Sequence, residues 1–356
     1  FQAEDGIRDS STSRGLGDVY KRQSMLTSPI LKIIRVVLFS ITFICFGQTN
    51  NDVTIIKNSA LNLIDKSAKI EVLGGSFIVS EGPLWDSENN ELIFSDVRQN
   101  KIFTWSESNG IKEYILPSGS TGYAPSFKKG GIGSNGLAFD KDGDIILCQH
   151  GDRRIASISN TATINPNFKT IIDNYNGKRF NSPNDLSISS DGDIYFTDPP
   201  YGFYYNQKTF DDKFRELDFN GVFKQSKAGS LHLITKEMSL PNGIALSNDE
   251  KYVYVNNCGT KDPKIMKFNT STFEGKLFFD GSELSKKHKG CFDGLKVHSS
   301  GNIFTTAPNG ILIISPEGVL IATINYGKPI TNCNFDTNEQ YLYVTGFDNI
   351  SRIKLK

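Results

Sequence analysis

The sequence predicts an all-β protein, a six-bladed β-propeller closed by an N-terminal strand. The first observation is an internal repeat, in which an acidic or amide residue precedes an apolar alternation, a polar turn and a second apolar strand. The repeat occurs six times at intervals of about 50 residues, starting at Glu81, Asn135, Asn184, Asn242, Asp293 and Asn332. The second observation is that no helical period interrupts the repeats. Each repeat is therefore interpreted as one propeller blade.

Each repeat opens with the pattern of a β-hairpin. In three repeats the turn dipeptide is Asp-Gly or Ser-Gly, at residues 142–143, 191–192 and 300–301. The glycine supplies the positive φ that a tight turn between antiparallel strands requires. Further strand candidates follow the hairpins, such as residues 101–105 and 114–116 in the first repeat. Together they give the four strands of a blade.

The last repeat is one strand short, because the chain ends after the strand candidates at 341–345 and 351–355. A segment before the first repeat must then supply the missing strand. Residues 69–73 and residues 53–56 both have a suitable alternation. Pairing of the two termini in this way would close the ring and remove an exposed sheet edge.

The first 48 residues are predicted to lie outside the propeller. Residues 1–24 mix charges of both signs without an apolar period, and are predicted to be a non-native or disordered leader. In residues 25–48, Lys32 and Arg35 precede an apolar run that is shorter than the roughly 20 residues of a spanning helix. This pattern predicts a signal peptide, a periplasmic or secreted protein, and no stable membrane anchor. Residues 49–356 are predicted to form a single domain.

Composition excludes several classes of protein. The 39 basic and 39 acidic residues give a net charge of +0, without the electrostatic attraction on which nucleic-acid binders depend. No pair of cysteines has the C-x-x-C spacing of zinc or redox motifs. Cys148, Cys258, Cys291 and Cys333 lie in or beside apolar stretches, which favours buried free thiols, with two disulfides as the alternative in an exported chain. A monomer or dimer is expected.

The first residue of every repeat is predicted to face one end of the central channel. The innermost strand of each blade lines that channel, so equivalent positions converge there. Carboxylate and amide oxygens without His or Cys select Ca²⁺ or Mg²⁺, and the flexible coordination of Ca²⁺ suits a mixed set best. Asn-Gly and Asp-Gly are also common turn dipeptides. The turn interpretation does not account for the first repeat, however, because Glu81 stands at the equivalent position and is followed by Gly-Pro, which makes a poor start for a turn.

Several segments resemble the gluconolactonase, regucalcin and luciferin-regenerating-enzyme family over about residues 70–355. They are EGPLW at 81–85, SPNDL at 182–186, DGDIYFTDPPYG at 191–202, LPNGIALS at 240–247 and CFDGLKV at 291–297. The resemblance implies a six-bladed propeller that hydrolyses sugar or other lactones with one divalent metal, usually Ca²⁺; Mg²⁺, Mn²⁺ and Zn²⁺ are the alternatives. The implied metal ligands are Glu81, Asn184, Asn242 and Asp293.

For the reaction, a divalent cation would polarise the lactone carbonyl and stabilise the oxyanion. Asp293 is predicted to be the base that activates water, and Asp185, next to a ligand, is the alternative base. The predicted substrate-binding residues are Arg179, Asn181, Asn135, His150 and Tyr201. A surface salt bridge for Arg179 and a structural role for His150 are the alternatives. Asn332 is assigned a supporting or substrate-facing role.

Two further expectations concern the loops and the class of function. Tyr123 and Phe127 lie in the Gly/Ser/Pro-rich loop 117–134, and a loop of this length predicts lid residues. A non-catalytic binding propeller stabilised by Ca²⁺ is one alternative function, and hydrolysis of organophosphates or other esters at the same metal is another. No G-x-S-x-G nucleophile motif or Gly-rich phosphate loop occurs in the sequence.

Overall fold

The structure is a computed structural model that describes residues 52–126, 130–204 and 209–356. The predicted leader at 1–24, the predicted signal peptide at 25–48 and the predicted lid residue Phe127 lie outside the described residues. Within the described ranges, no helix is long and apolar enough to cross a membrane.

The described chain consists almost entirely of strands. Two of them, β1 (Val53–Ile55) and β2 (Ile70–Gly75), precede blade 1 and are separated by a short 3-10 helix, Asn58–Asn62. Blade 1 contains β3 (Ser80–Asp86), β4 (Glu91–Asp96), β5 (Lys101–Ser106) and β6 (Gly110–Leu116). Blade 2 contains β7 (Ser134–Phe139), β8 (Ile145–Gln149), β9 (Arg154–Ile158) and β11 (Lys169–Ile172). The short β10 (Thr163–Ile164), between β9 and β11, pairs with β6 of blade 1.

The remaining blades repeat this plan. A two-stranded hairpin, β12 (Asn174–Tyr175) and β13 (Lys178–Arg179), leads into blade 3. Blade 3 contains β14 (Leu186–Ile188), β15 (Ile194–Asp198), β16 (Gly221–Gln225) and β17 (Leu231–Thr235), with a 3-10 helix at Tyr201–Phe203. Blade 4 contains β18 (Pro241–Leu246), β19 (Tyr252–Asn257), β20 (Lys264–Asn269) and β21 (Gly275–Asp280), and α1 (Ser282–Lys287) follows it. Blade 5 contains β22 (Leu295–Val297), β23 (Ile303–Ala307), β24 (Gly310–Ile314) and β25 (Leu320–Asn325), and blade 6 contains β26 (Ile330–Phe335), β27 (Tyr341–Gly346) and β28 (Asn349–Lys354).

The six blades form a closed ring, which confirms the predicted fold class. Each of the innermost strands β3, β7, β14, β18, β22 and β26 contacts the next one, and β26 contacts β3. The predicted hairpin turns are also present, because Gly143, Gly192 and Gly301 have φ of 84°, 90° and 81°. The inner strands therefore surround a common channel.

The ring closes through the N-terminal strand β2, which pairs antiparallel with β28 and completes blade 6. The other candidate segment has a different role, since β1 pairs with β25 and adds a fifth strand to blade 5. The Asp52 carboxylate accepts a hydrogen bond from the backbone N–H of Ile70 at 3.0 Å, which links the two segments. Both termini of the domain therefore contribute to closure.

The apolar core lies between neighbouring blades. Between blades 2 and 3, the fully buried rings of Phe180, Phe196 and Phe223 contact one another with centroids 5.2–5.3 Å apart. Ile146 and Cys148 of β8 pack against the same cluster. Burial of such aromatic surface fixes the angle between blades. It therefore also fixes the positions of the inner strands around the channel.

Candidate active site

Five of the six residues that begin the repeats line a single cavity of about 450 Å³ at one end of the channel. These five are Glu81, Asn135, Asn184, Asn242 and Asp293. Each lies in the first part of an inner strand or in the residues just before it. The predicted convergence of equivalent positions is therefore present in the structure for these residues.

Glycines that follow the site residues allow the inner strands to approach closely. Gly136 donates a backbone hydrogen bond to the carbonyl of Asn184 at 2.7 Å, and Gly243 donates one to the carbonyl of Asp293 at 2.9 Å. A Cβ added to Gly243 would lie 2.3 Å from that Asp293 oxygen. Neither glycine has a positive φ. The recurrent Asn-Gly pair thus serves contact between blades, and the alternative interpretation as a turn dipeptide does not apply to these two sites.

Asn332 lies beneath the cavity and joins two carboxylates. Its amide nitrogen donates to Glu81 Oε2 and to Asp185 Oδ2, both at 3.3 Å. Asp185 is 1% exposed, does not line the cavity, and has Lys296 Nζ at 3.9 Å from Oδ2. The structure therefore separates the two predicted bases, because Asp293 lines the cavity and Asp185 does not.

Burial and repulsion disfavour the ionised forms of the two cavity carboxylates. Burial, followed by repulsion from Asp185, raises the pKa of Glu81 to about 8. Burial, followed by repulsion from Glu81 and Asp185, raises the pKa of Asp293 well above its usual range. In the described residues neither carboxylate has an ion-pair partner within 4 Å. A cation bound between them would offset both effects.

The donor set fits a hard divalent cation. Asp293 Oδ1 and Asn135 Oδ1 are buried and have no hydrogen-bond partner among the described residues. Asn242 donates its amide nitrogen to the Tyr201 hydroxyl at 3.3 Å, which leaves its amide oxygen as a donor to a metal. No cluster of three or more His, Cys, Asp or Glu capable of holding a metal occurs in the described ranges. The candidate set instead combines carboxylate with amide oxygens, as hard cations prefer.

His150 and Tyr201 also line the cavity, as the sequence predicts. His150 Nδ1 lies 3.1 Å from the Gly131 carbonyl oxygen, so the proton is on Nδ1 and Nε2 is a hydrogen-bond acceptor. Nε2 is buried and unpartnered, and burial lowers the pKa of His150 to about 4. The imidazole is therefore neutral near neutral pH and can accept a hydrogen bond from a ligand.

The structure does not bring Asn181 or Arg179 to the cavity. Asn181 is fully buried, and its amide nitrogen donates to the carbonyls of Asp198 and Phe219 while its amide oxygen accepts from Arg215. The Arg179 guanidinium lies over the Tyr123 ring and 3.5 Å from Asp173. The Asn181 amide is thus used within the protein, whereas Arg179 lies outside the cavity lining with a buried Nη1 that has no hydrogen-bond partner among the described residues.

Several cavity residues had no signal in the sequence analysis. Arg98, in the turn between β4 and β5, and Tyr204, after the 3-10 helix, both line the cavity. So do Cys258 and Cys291, which form a disulfide between Cα atoms 4.8 Å apart. The expectation of free thiols is thus wrong for this pair and correct for the buried Cys148 and Cys333. Nothing in their spacing shows that blades 4 and 5 bring the two cysteines together.

The protein is thus a six-bladed β-propeller whose cavity is lined by carboxylate and amide side chains. Its sequence matches a known family of such propellers. The family model described as "SMP-30/Gluconolactonase/LRE-like region" matches residues 79–347. The chain belongs to this family. A gluconolactonase of Zymomonas mobilis is 34% identical over 324 residues, which cover 87% of this chain and 88% of the relative.

Solved structures agree with the fold. A gluconolactonase from Xanthomonas campestris is 25% identical with a TM-score of 0.73, covering 85% of this chain and 94% of that one. Regucalcin from Agrobacterium tumefaciens, described as a calcium-binding protein, is 15% identical with a TM-score of 0.61, covering 81% and 95%. The second likeness shows the fold alone.

Proposed function

We propose that this protein is a metal-dependent lactonase that opens sugar or related lactones. The observation that carries the proposal is the meeting of Glu81, Asn184, Asn242 and Asp293 in one cavity, with Asp293 Oδ1 buried and unpartnered. Family membership and the 34% identity to a gluconolactonase support the choice of lactones as substrates.

The four residues would hold a divalent cation through two carboxylates and two amide oxygens. Ca²⁺ suits this donor set best, and Mg²⁺, Mn²⁺ and Zn²⁺ are the alternatives to test. When bound, the ion supplies Lewis-acid polarisation of the lactone carbonyl and stabilisation of the negative charge that develops on its oxygen. Glu81 and Asp293 balance the charge of the ion.

Asp293 is the proposed base for the attacking water. Asp293 lines the cavity, so one of its carboxylate oxygens can bind the cation while the other accepts the proton. Asp185 is less suited, because it does not line the cavity. His150 Nε2 and Asn135 Oδ1 are buried acceptors in the same cavity, and we assign them to hydrogen bonds from hydroxyl groups of the substrate.

We further propose that the protein acts in the periplasm or outside the cell. The predicted signal peptide supports this location. The disulfide between Cys258 and Cys291 also supports it, since disulfides persist mainly in oxidising compartments.

The test is hydrolysis of gluconolactone by the purified protein in a pH-stat, after EDTA treatment and after addition of each cation. Removal of the metal should abolish activity, and one of the four ions should restore it. Asp293→Asn should lower turnover about 100-fold or more at saturating metal, whereas the exposed turn variant Asp142→Asn should not.

Three outcomes would revise the proposal. Full activity in EDTA would contradict metal dependence. Substantial turnover by Asp293→Asn at saturating metal would leave Asp293 as a ligand only. Binding of Ca²⁺ without hydrolysis of any lactone would favour a binding propeller or a hydrolase of other esters.

A further inference from the structure

A single cationic side chain faces the proposed active site. Among the described residues that line the cavity, Arg98 is the only lysine or arginine. It lies in the turn between β4 and β5 and is partly buried. The other described ionisable residues of the cavity are Glu81, Asp293, His150 and two tyrosines.

The guanidinium of the partly buried Arg98 has no ion pair and no side-chain hydrogen bond to any described residue, in contrast to the buried Arg153 and Arg154. Arg153 Nε donates to the Phe180 carbonyl at 2.7 Å, and its guanidinium lies 3.3 Å from Glu216. Arg154 Nε donates to Gln149 Oε1 at 2.6 Å. Burial lowers the pKa of Arg98, an effect that Asp96 only partly opposes. The cation of Arg98 thus lacks a partner that its neighbours possess.

Asp96 is the nearby carboxylate, and it is already engaged. Its Oδ2 accepts from the backbone of Ile78 at 2.8 Å and from the Gln99 side chain at 2.7 Å. Its Oδ1 accepts backbone hydrogen bonds at 3.0 and 3.1 Å from Arg98 and Gln99. These bonds hold the backbone of the turn in place without neutralising the guanidinium. Arg98 is therefore presented on a fixed backbone.

The same turn is braced against the next blade. Gly133 donates to the Val97 carbonyl at 2.7 Å. Asn100 Oδ1 accepts from the backbone N–H groups of Gly119 and Ser120 at 2.8 and 3.0 Å. Because the backbone is already braced, anion binding costs the turn little backbone entropy, and the cost that remains is the rotamer entropy of the Arg98 side chain. The side chains of Val79 and Phe347 line the same cavity and lower the local polarity.

The charges also favour an anionic ligand. With a divalent cation held by Glu81 and Asp293, these three charges cancel, and His150 is neutral near neutral pH because its pKa is about 4. Among the side chains that line the cavity, Arg98 then contributes the one uncompensated charge, while Asp96 and Asp185 lie outside the lining. A substrate with one carboxylate or phosphate group would balance this charge.

Resting on the lactonase function proposed above, we propose that Arg98 binds the carboxylate or phosphate of an acidic lactone and determines this substrate class. The guanidinium presents parallel N–H donors that match two oxygens of either group. The acidic group is recognised apart from the lactone carbonyl, so Arg98 is a specificity-determining residue with no part in proton transfer.

The experiment compares kcat/KM for three substrates: gluconolactone, which is neutral, phosphogluconolactone, and the monolactone of glucaric acid. We expect the protein to prefer at least one acidic lactone. Arg98→Gln should lower kcat/KM for that lactone about 10- to 100-fold and change the value for gluconolactone about twofold or less. Arg98→Lys should retain part of the preference. The phosphate and carboxylate substrates show which anion is bound.

Lys251→Gln is the matched control, since it removes one positive charge from an exposed turn away from the cavity. No preference for either acidic lactone in the wild-type protein would overturn the proposal. An equal loss on neutral and acidic lactones in Arg98→Gln would also overturn it, because it would indicate a general structural effect.

A binding measurement separates this inference from the lactonase proposal. Calorimetry in the presence of the metal should show that glucose 6-phosphate or glucuronate binds at least about 10-fold more tightly than neutral glucose, and that Arg98→Gln removes the difference. If no lactone is hydrolysed but this difference is found, the lactonase proposal fails and the anion site stands. Equal binding of the three sugars would contradict the anion site, whatever the activity.

Discussion

Two buried carboxylates, Asp198 and Asp293, differ in how their charges are stabilised. Burial is the main cause that raises the pKa of Asp198, to about 7, and that of Asp293. Asp198 accepts hydrogen bonds at 2.8 Å from the backbone N–H groups of both Asn181 and Ser182. Asp293 Oδ1 has no partner. The first carboxylate completes a loop, and the second is available to a ligand from outside the chain.

The contrast extends to the residues around each carboxylate. Asn181, next to Asp198, uses both amide atoms within the protein. Asn135 and His150, in the cavity with Asp293, each keep a buried acceptor without a partner. Buried polar groups are normally satisfied, so a set of unsatisfied acceptors in one cavity indicates a binding site. Substitutions in the two regions should consequently have different effects.

The largest effect on metal binding and activity is expected from Glu81→Gln, which removes the negative charge of one proposed metal ligand. Affinity for Ca²⁺ should fall at least about 100-fold, and lactone hydrolysis should fall with it. The free energy of unfolding in EDTA should be unchanged or higher, because a neutral amide does not repel Asp185. Calorimetry and urea unfolding check both points, with Glu88→Gln in an exposed turn as the control. A large loss of stability in EDTA would show that Glu81 is structural.

The next effect is expected from Asp198→Ala, which should lower the stability of the fold without removing a proposed metal ligand. It leaves two buried N–H groups, of Asn181 and Ser182, without an acceptor and should cost about 4 kcal/mol of unfolding free energy. Urea unfolding in EDTA measures this loss, and the exposed turn variant Asp142→Ala provides the comparison. A loss below about 1 kcal/mol would contradict the structural role assigned to Asp198.

Replacement of both Cys258 and Cys291 by alanine should destabilise the protein by about 3 kcal/mol, because the disulfide closes a loop with a sequence separation of 33. The disulfide lies two residues from Asp293 at the cavity, so metal affinity should fall as well. Unfolding and calorimetry of the double variant test this, and Cys148→Ala controls for loss of a buried thiol. Unchanged metal affinity would show that the disulfide stabilises the fold without positioning Asp293.

The smallest effect is a pH dependence caused by His150. Its pKa of about 4 lies below the ordinary 6.5, so between these values the unfolded chain binds more protons than the folded protein. Stability should therefore fall as the pH is lowered. From about pH 7 to about pH 5 the wild-type protein should lose about 2 kcal/mol more than His150→Gln. Identical pH profiles would show that the imidazole is not buried in its neutral form.

The propeller and most of the cavity could be predicted because they depend on local, repeated signals. Hairpin glycines, strand alternation and the acidic or amide residue at each repeat start are all visible in the sequence. The choice between the two N-terminal strands was not visible, since both have the same alternation and only pairing with β28 or β25 distinguishes them.

The positions of the other residues around the site depend on contacts between distant segments. Asn181 has the composition of a sugar-binding residue, but the carbonyl of Phe219 and the side chain of Arg215 occupy its amide. Arg98 is one arginine among many in the sequence, and only the ring of blades brings it to the cavity. The disulfide likewise follows from the proximity of blades 4 and 5. Such facts belong to tertiary structure and leave no local pattern.

The central claim is that two carboxylates and two amides of the cavity hold a divalent ion, and anomalous diffraction from crystals soaked in Mn²⁺ tests it most directly. The account predicts one strong anomalous peak within coordination distance of Glu81, Asn184, Asn242 and Asp293, which is lost in Glu81→Gln crystals. A peak elsewhere, or none in the cavity of a protein that still hydrolyses lactone, would contradict it.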